Sequence, residues 1–195
     1  MLKELNNIIN RPFNDRRLRS ILAWSRYPIV GLLLILFIIY IHDIKPSLLL
    51  SCFLVSIFGE LIQVWSFGSL EKNEILVDRG PYRIVRNPMY IGRFLVLLGF
   101  MLLTRNIYIL SIYLVLFYLY AINRVKREED NLRGYFGEAY ERYCKKVNRF
   151  LPTLRRTRPG KIWYFNKGLF FKNNGHLNLL AVLFIYLSFF FFISI

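Results

Sequence analysis

Five stretches of this chain are too apolar and too long to be left in water as loops: residues 28–41, 47–65, 88–103, 107–122 and 177–195. Within them only Glu60 and Arg93 are charged. An α-helix rising ~1.5 Å per residue needs ~20 residues to cross a hydrocarbon core of ~30 Å, and the internal hydrogen bonds of a helix are what allow a backbone to enter lipid. The run 28–41 is short, so Trp24 and Tyr27 extend it as interfacial anchors. The pattern predicts an all-α fold: a polytopic membrane helical bundle of about five transmembrane helices with cytoplasmic amphipathic helices. Residues 42–46 make a tight turn, so the first two spans form an antiparallel hairpin.

The formal net charge is +15, and basicity of that size fits nucleic acid, an anionic membrane surface or an acidic ligand. The membrane reading prevails over nucleic acid because the basic clusters flank the apolar runs. Six Lys/Arg precede the first run, four lie in 66–87 and fourteen in 123–176, against only Lys45 and Arg105 in the opposite connections. By the positive-inside rule the N-terminus, the 66–87 loop and the segment after residue 123 all face the cytoplasm. The chain divides into a basic flank (1–27), a membrane core (28–152), a basic interfacial segment (153–176) and a last transmembrane helix (177–195). The flank carries no signal-peptide pattern and reads either as a surface amphipathic helix or as a plain charged border. Two cysteines and two histidines, all isolated, indicate neither a disulfide framework nor a metal site.

The polar punctuation between the second and third runs carries the chemistry. Gly80-Pro81 is a turn, and Asn87-Pro88 reads as a helix start: Asn can cap free N–H groups and Pro suits the first helical position. A helix N-terminus between Arg83 and Arg86 is an anion site. Further on, Gly134 and Gly137 interrupt an amphipathic segment whose apolar stripe is bordered by Glu128 and Glu129. Inside the second run, Glu60 either lies near the interface or pairs with a cation such as Arg93.

Two spaced motifs can be written from these residues. The first runs Gly80-Pro81-Tyr82-Arg83-Ile84-Val85-Arg86-Asn87-Pro88-Met89-Tyr90-Ile91-Gly92. The second is Arg124, Glu128-Glu129, Leu132, Phe136-Gly137, Tyr140 and Tyr143. The first resembles the hallmark G-x-Y-x-x-x-R-H-P-x-Y-x-G of the isoprenylcysteine carboxyl methyltransferase and phospholipid methyltransferase families, with Asn87 standing where many members have His. The second is similar to their R-x-x-x-E-E motif. The similarity extends over residues 59–152.

The resemblance implies an S-adenosylmethionine-dependent methyltransferase of the inner membrane of bacteria, acting on a lipid-like or isoprenoid acceptor dissolved in the bilayer. It implies that Arg79, Gly80, Pro81, Tyr82, Arg86, Asn87, Pro88, Tyr90, Gly92 and Glu128 enclose the cofactor, and that Arg124 faces the polar end of the acceptor. Asparagine cannot titrate, so Asn87 can orient a group but cannot take its proton. A carboxylate acceptor needs no base; an amine or thiol does, and Glu129 is then the nearest candidate. Asn87, Arg124 and Glu129 are therefore the candidate catalytic residues. Two other readings stay open: an NADPH-dependent membrane reductase of the sterol type, and a non-catalytic protein that binds anionic lipid through Arg155, Arg156, Arg158 and Lys161.

Overall fold

A computed structural model of the chain describes residues 45–71, 75–153 and 162–194, and these are helical throughout their ordered elements. The flank 1–27, the run 28–41 and the four tail cations Arg155, Arg156, Arg158 and Lys161 lie outside the described residues. The helices are α1 (Pro46–Ser69), α2 (Pro88–Leu103), α3 (Ile107–Lys146), α4 (Lys167–Lys172) and α5 (Gly175–Ser194), with a 3-10 turn at Gly80–Arg83. Among the described residues three helices, α1, α3 and α5, are long and apolar enough to cross a membrane. The sixteen residues of α2 span only ~24 Å, short of a ~30 Å core.

The bundle is held by close backbone approach. Lipid is as apolar as a leucine side chain, so helices in a bilayer associate through small residues that bring backbones together. On α1, Cys52, Ser56 and Gly59 present such a stripe, and on α2, Gly92 and Gly99 answer it. A Cβ built on Gly59 would lie 2.6 Å from the carbonyl oxygen of Gly92 and 2.7 Å from the amide nitrogen of Val96. The third helix of this core is α5, whose Val182, Tyr186 and Phe189 recur at helical spacing and are buried. The Tyr186 hydroxyl lies 2.7 Å from Ser56 Oγ and donates to the Cys52 carbonyl at 3.1 Å, while Ser56 Oγ donates to the Val96 carbonyl at 2.9 Å. Every hydroxyl in this apolar junction is thus satisfied, as burial requires.

The C-terminal end of α1 is closed by the residues flanking α4 on both sides. Asn173 Nδ2 donates to the carbonyls of Phe67 and Leu70, and the Asn166 amide donates to Gly68. Trp65 and Ser69 both donate to the carbonyl of Tyr164. The Asn173 and Asn166 contacts take up acceptors that a helix end otherwise leaves open.

Helix α3 behaves differently. Its first part is nearly all exposed apolar surface, and it touches α2 through an aromatic seam of Phe94, Tyr113 and Phe117, with Tyr113 donating to the Phe94 carbonyl at 2.7 Å. It runs on past Ile122 into the charged segment without interruption, no breaker residue standing between the two. The break comes at Gly137 (φ 48°, ψ −126°), a left-handed conformation that glycine accepts without penalty, and Gly134 stays helical.

Two expectations about polar groups are corrected here. Glu60 is fully buried, but its partner is Gln63, which donates to Oε2 at 3.0 Å, and Arg93 is not paired with it. Arg93 instead donates to the Tyr120 hydroxyl on α3. Asn87 precedes α2 as expected but makes no side-chain cap. Its amide is drawn away from the helix start by a carboxylate, described next.

Candidate active site

The turn that precedes α2 is built for rigidity. Gly80 has φ 58°, and a Cβ there would meet the Ser69 side chain at 2.1 Å, so only glycine fits. Tyr143 on the distal part of α3 donates to the Tyr82 carbonyl at 2.5 Å, pinning the 3-10 turn to that helix. The strap 147–153 then lies along the turn: the Arg86 amide donates to Asn148, and the Thr153 amide donates to Ile84. The chain is therefore folded on itself from three sides around Tyr82–Pro88.

Behind Asn87 sits Glu129, 1% exposed. Its carboxylate accepts from Arg149 through both Nε and Nη2, lies 3.6 Å from Arg86 Nη2, and takes the Asn87 Nδ2 hydrogen bond at 3.3 Å. Asn87 Nδ2 also reaches the Arg149 carbonyl at 3.3 Å. A buried carboxylate is tolerable only when paired and hydrogen-bonded, and here two cations and an amide do it. The arrangement fixes which way Asn87 points, because an amide nitrogen can only donate to that oxygen.

In front of Asn87 lies a cavity of about 490 Å³, within the ~300–1,000 Å³ usual for small-molecule sites. Of the residues singled out in the sequence, Tyr82, Arg86, Asn87, Pro88, Tyr90, Arg124 and Glu128 line it. Glu128 Oε1 is shared, accepting from the Tyr90 hydroxyl at 3.0 Å and from Arg124 Nε at 3.0 Å. The side chains of Tyr135, Phe136 and Tyr140 supply an aromatic wall.

The remaining residues expected to enclose the cofactor do not line the cavity. Arg79 pairs with Glu71 at 2.7 Å and stacks on the Tyr164 ring at 4.1 Å, and Gly80 and Pro81 shape the turn. Gly92 serves the α1–α2 contact, with a built Cβ 2.6 Å from both Gln63 Cγ and the Gly59 carbonyl. Arg83, expected beside Arg86 as an anion ligand, is turned to Asp78 at 2.9 Å.

Two buried polar atoms in the cavity lining have no partner among the described residues: the Tyr82 hydroxyl and Arg86 Nε. Such orphans are costly, and at a cavity wall they mark where a polar ligand would be met. Burial first, and then the charge of Glu128, push the Tyr82 phenol well above its ordinary range, so it stays neutral and able to donate. Sequence reasoning missed Arg149, the strap that carries it, and Glu71 and Asn131 on the cavity wall. Arg149 follows the second motif by only a few residues but lies in no periodic pattern, so nothing local marks it.

Comparison with known proteins gives a consistent result. A model of the phospholipid methyltransferase family matches residues 27–139. Protein-S-isoprenylcysteine O-methyltransferase of Schizosaccharomyces pombe is 34% identical over 83 residues, which are 43% of this chain and 35% of that protein. The Xenopus laevis protein of the same name is 30% identical over 127 residues, 58% of this chain and 44% of the relative. Cobalt-zinc-cadmium resistance protein CzcN of Cupriavidus metallidurans is 28% identical over 102 residues, 52% of this chain and 47% of that protein. The matches therefore span less than half the length of each of these relatives. No solved structure matches the chain.

Proposed function

This chain belongs to the phospholipid methyltransferase family, and from that premise we propose that it is an integral-membrane methyltransferase that binds S-adenosylmethionine in the Tyr82–Glu128 cavity and methylates an acceptor dissolved in the bilayer. The relatives that carry the name O-methyltransferase supply the reaction class. The observation that carries the reading is the convergence of a carboxylate, an orphaned guanidinium nitrogen, an orphaned phenol and an aromatic wall on one cavity at the start of α2.

The residues fit the cofactor's functional groups. Glu128 would hold its hydroxyls or its amine; Arg86 and the start of α2 would hold its carboxylate; the aromatic wall would cover its base. Bound there, S-adenosylmethionine supplies an electrophilic methyl group on a sulfonium. The protein's own contribution is then orientation and exclusion of water. The described carboxylates at the site are all engaged, Glu128 by Tyr90 and Arg124, Glu129 by two arginines and Glu71 by Arg79. Glu129 is read as a positioning residue that aims Asn87, and Asn87 as an orienting donor. With no free base at the site among the described residues, an acceptor that is already ionised is served best. By the distribution of Lys and Arg, the cavity opens to the cytoplasm.

The test is methyl transfer from labelled S-adenosylmethionine by the detergent-purified full chain, offered carboxylate, amine and thiol amphiphiles. Label is expected in the organic phase with the carboxylate acceptor, reduced at least tenfold by Glu128→Ala. Absence of label with all three classes would overturn the proposal.

A further inference from the structure

The contact between α2 and α3 is a ladder of two polar rungs. The outer rung is at the cavity, where Tyr90 and Arg124 both donate to Glu128 Oε1. Its cation is neutralised by its carboxylate. The inner rung lies about one helical turn further along each helix, where Arg93 Nη1 donates to the Tyr120 hydroxyl at 3.0 Å. Arg93 is five residues past Pro88, ~7.5 Å along α2, where the apolar part of the helix has begun.

Among the described residues this inner cation has no counter-charge. The partners of Arg93 among the described residues are a phenol and the face of the Tyr90 ring, 5.5 Å from the guanidinium carbon. A cation at this depth ordinarily snorkels to water or pairs with an acid. Among the described residues Arg93 has no acid partner; Glu60, the acid in the neighbouring helix, is engaged by Gln63 instead. Arg93 is half-buried and Tyr120 is 40% exposed, so the pair is accessible from outside the helices. A guanidinium carries five N–H donors, and a planar oxyanion meets two of them at once. Tyr90 separates the two rungs: its hydroxyl serves the cavity and its ring lies beneath Arg93. The rings of Phe94, Phe117 and Tyr113 continue the seam toward the other end of α2 and offer an apolar track beside the cation.

We propose that Arg93, with the Tyr120 hydroxyl, is a site for a singly charged oxyanion at the head of an amphiphile dissolved in the bilayer, whose tail lies along the α2–α3 aromatic seam. That this amphiphile is the methyl acceptor rests on the methyltransferase reading; the oxyanion site itself does not. Arg124, already held by Glu128, is then not the anion-seeking cation next to the cavity.

The test is competitive binding to the full chain in neutral detergent, with oleate as the carboxylate probe, methyl oleate as its uncharged counterpart and phosphatidylglycerol as the phosphodiester probe. The wild type is expected to prefer oleate to methyl oleate at least tenfold. Arg93→Leu should abolish that preference, Tyr120→Phe should weaken it, and Arg93→Lys should keep an intermediate value because the charge remains while the fork is lost. Lys145→Leu, which removes an equal charge from an exposed position, should leave it unchanged. Competition by phosphatidylglycerol that vanishes in Arg93→Leu would assign the site to lipid phosphodiesters as well; its failure to compete would restrict the site to carboxylates. Equal binding of oleate and methyl oleate in the wild type would overturn the proposal. So would an equal loss in Lys145→Leu, or a preference that survives Arg93→Leu. If Arg93→Leu does not fold, Arg93→Lys and Tyr120→Phe carry the same comparison. S-adenosylmethionine binding measured on the same samples keeps the two readings apart: oleate preference without cofactor binding fails the methyltransferase reading and leaves the Arg93 site standing.

Discussion

Glu129→Ala is expected to lower the unfolding midpoint of the detergent-purified protein by roughly 6–12 °C, the equivalent of about 3 kcal/mol. The carboxylate is 1% exposed and neutralises Arg149 and Arg86, and removing it leaves two cations with no acid between them. Breaking a buried pair from one side costs ~3–5 kcal/mol, and the lower end applies because Arg149 is itself 38% exposed. The strap 147–153 would lose its anchor, and Asn87 would lose the acceptor that aims it. Glu129→Gln should fall between the two, since an amide oxygen can still accept from Asn87 but carries no charge. A midpoint for Glu129→Ala within experimental error of the wild type would show that the network does not hold the turn.

Gly59→Ala should be nearly as damaging, for a reason of space rather than charge. The added methyl would meet the Gly92 carbonyl at 2.6 Å, the Val96 amide nitrogen at 2.7 Å and Leu95 Cβ at 2.7 Å. Two of those three atoms are backbone, which cannot rotate aside, so α1 and α2 must separate. Overpacking of this kind costs ~1–3 kcal/mol, and the upper end is expected here. Gly134→Ala is the control, because nothing lies within 4 Å of its built Cβ. In an exposed helical position that change should stabilise by up to ~1 kcal/mol through helix propensity. Thermal unfolding of both variants checks the contrast; a neutral Gly59→Ala would contradict the close packing of α1 on α2.

The parts of this fold that were legible from sequence are those decided by local chemistry. The apolar runs at 88–103 and 107–122 mark their helices, and Pro88 marks the start of α2. Arg124 and Glu128 sit four residues apart on one helix, so their pairing follows from helical geometry alone. What was not legible depends on partners far along the chain. Asn87 looks like a cap because Asn-Pro before a helix usually is one, but a buried carboxylate 42 residues later competes for its amide and wins. Arg149 is unremarkable until the strap brings it back to Glu129. The Glu60–Arg93 pairing failed because the choice among buried partners is set by which faces of α1, α2 and α3 meet, and Gln63 and Tyr120 stand nearer.

The central claim is that the cavity between Tyr82 and Glu128 holds S-adenosylmethionine. Calorimetric titration of the cofactor into the detergent-purified full chain, wild type beside Glu128→Ala, tests it most directly. Saturable binding by the wild type that is lost or at least tenfold weaker in Glu128→Ala is the predicted result. No binding by the wild type, or equal binding by both, would contradict it.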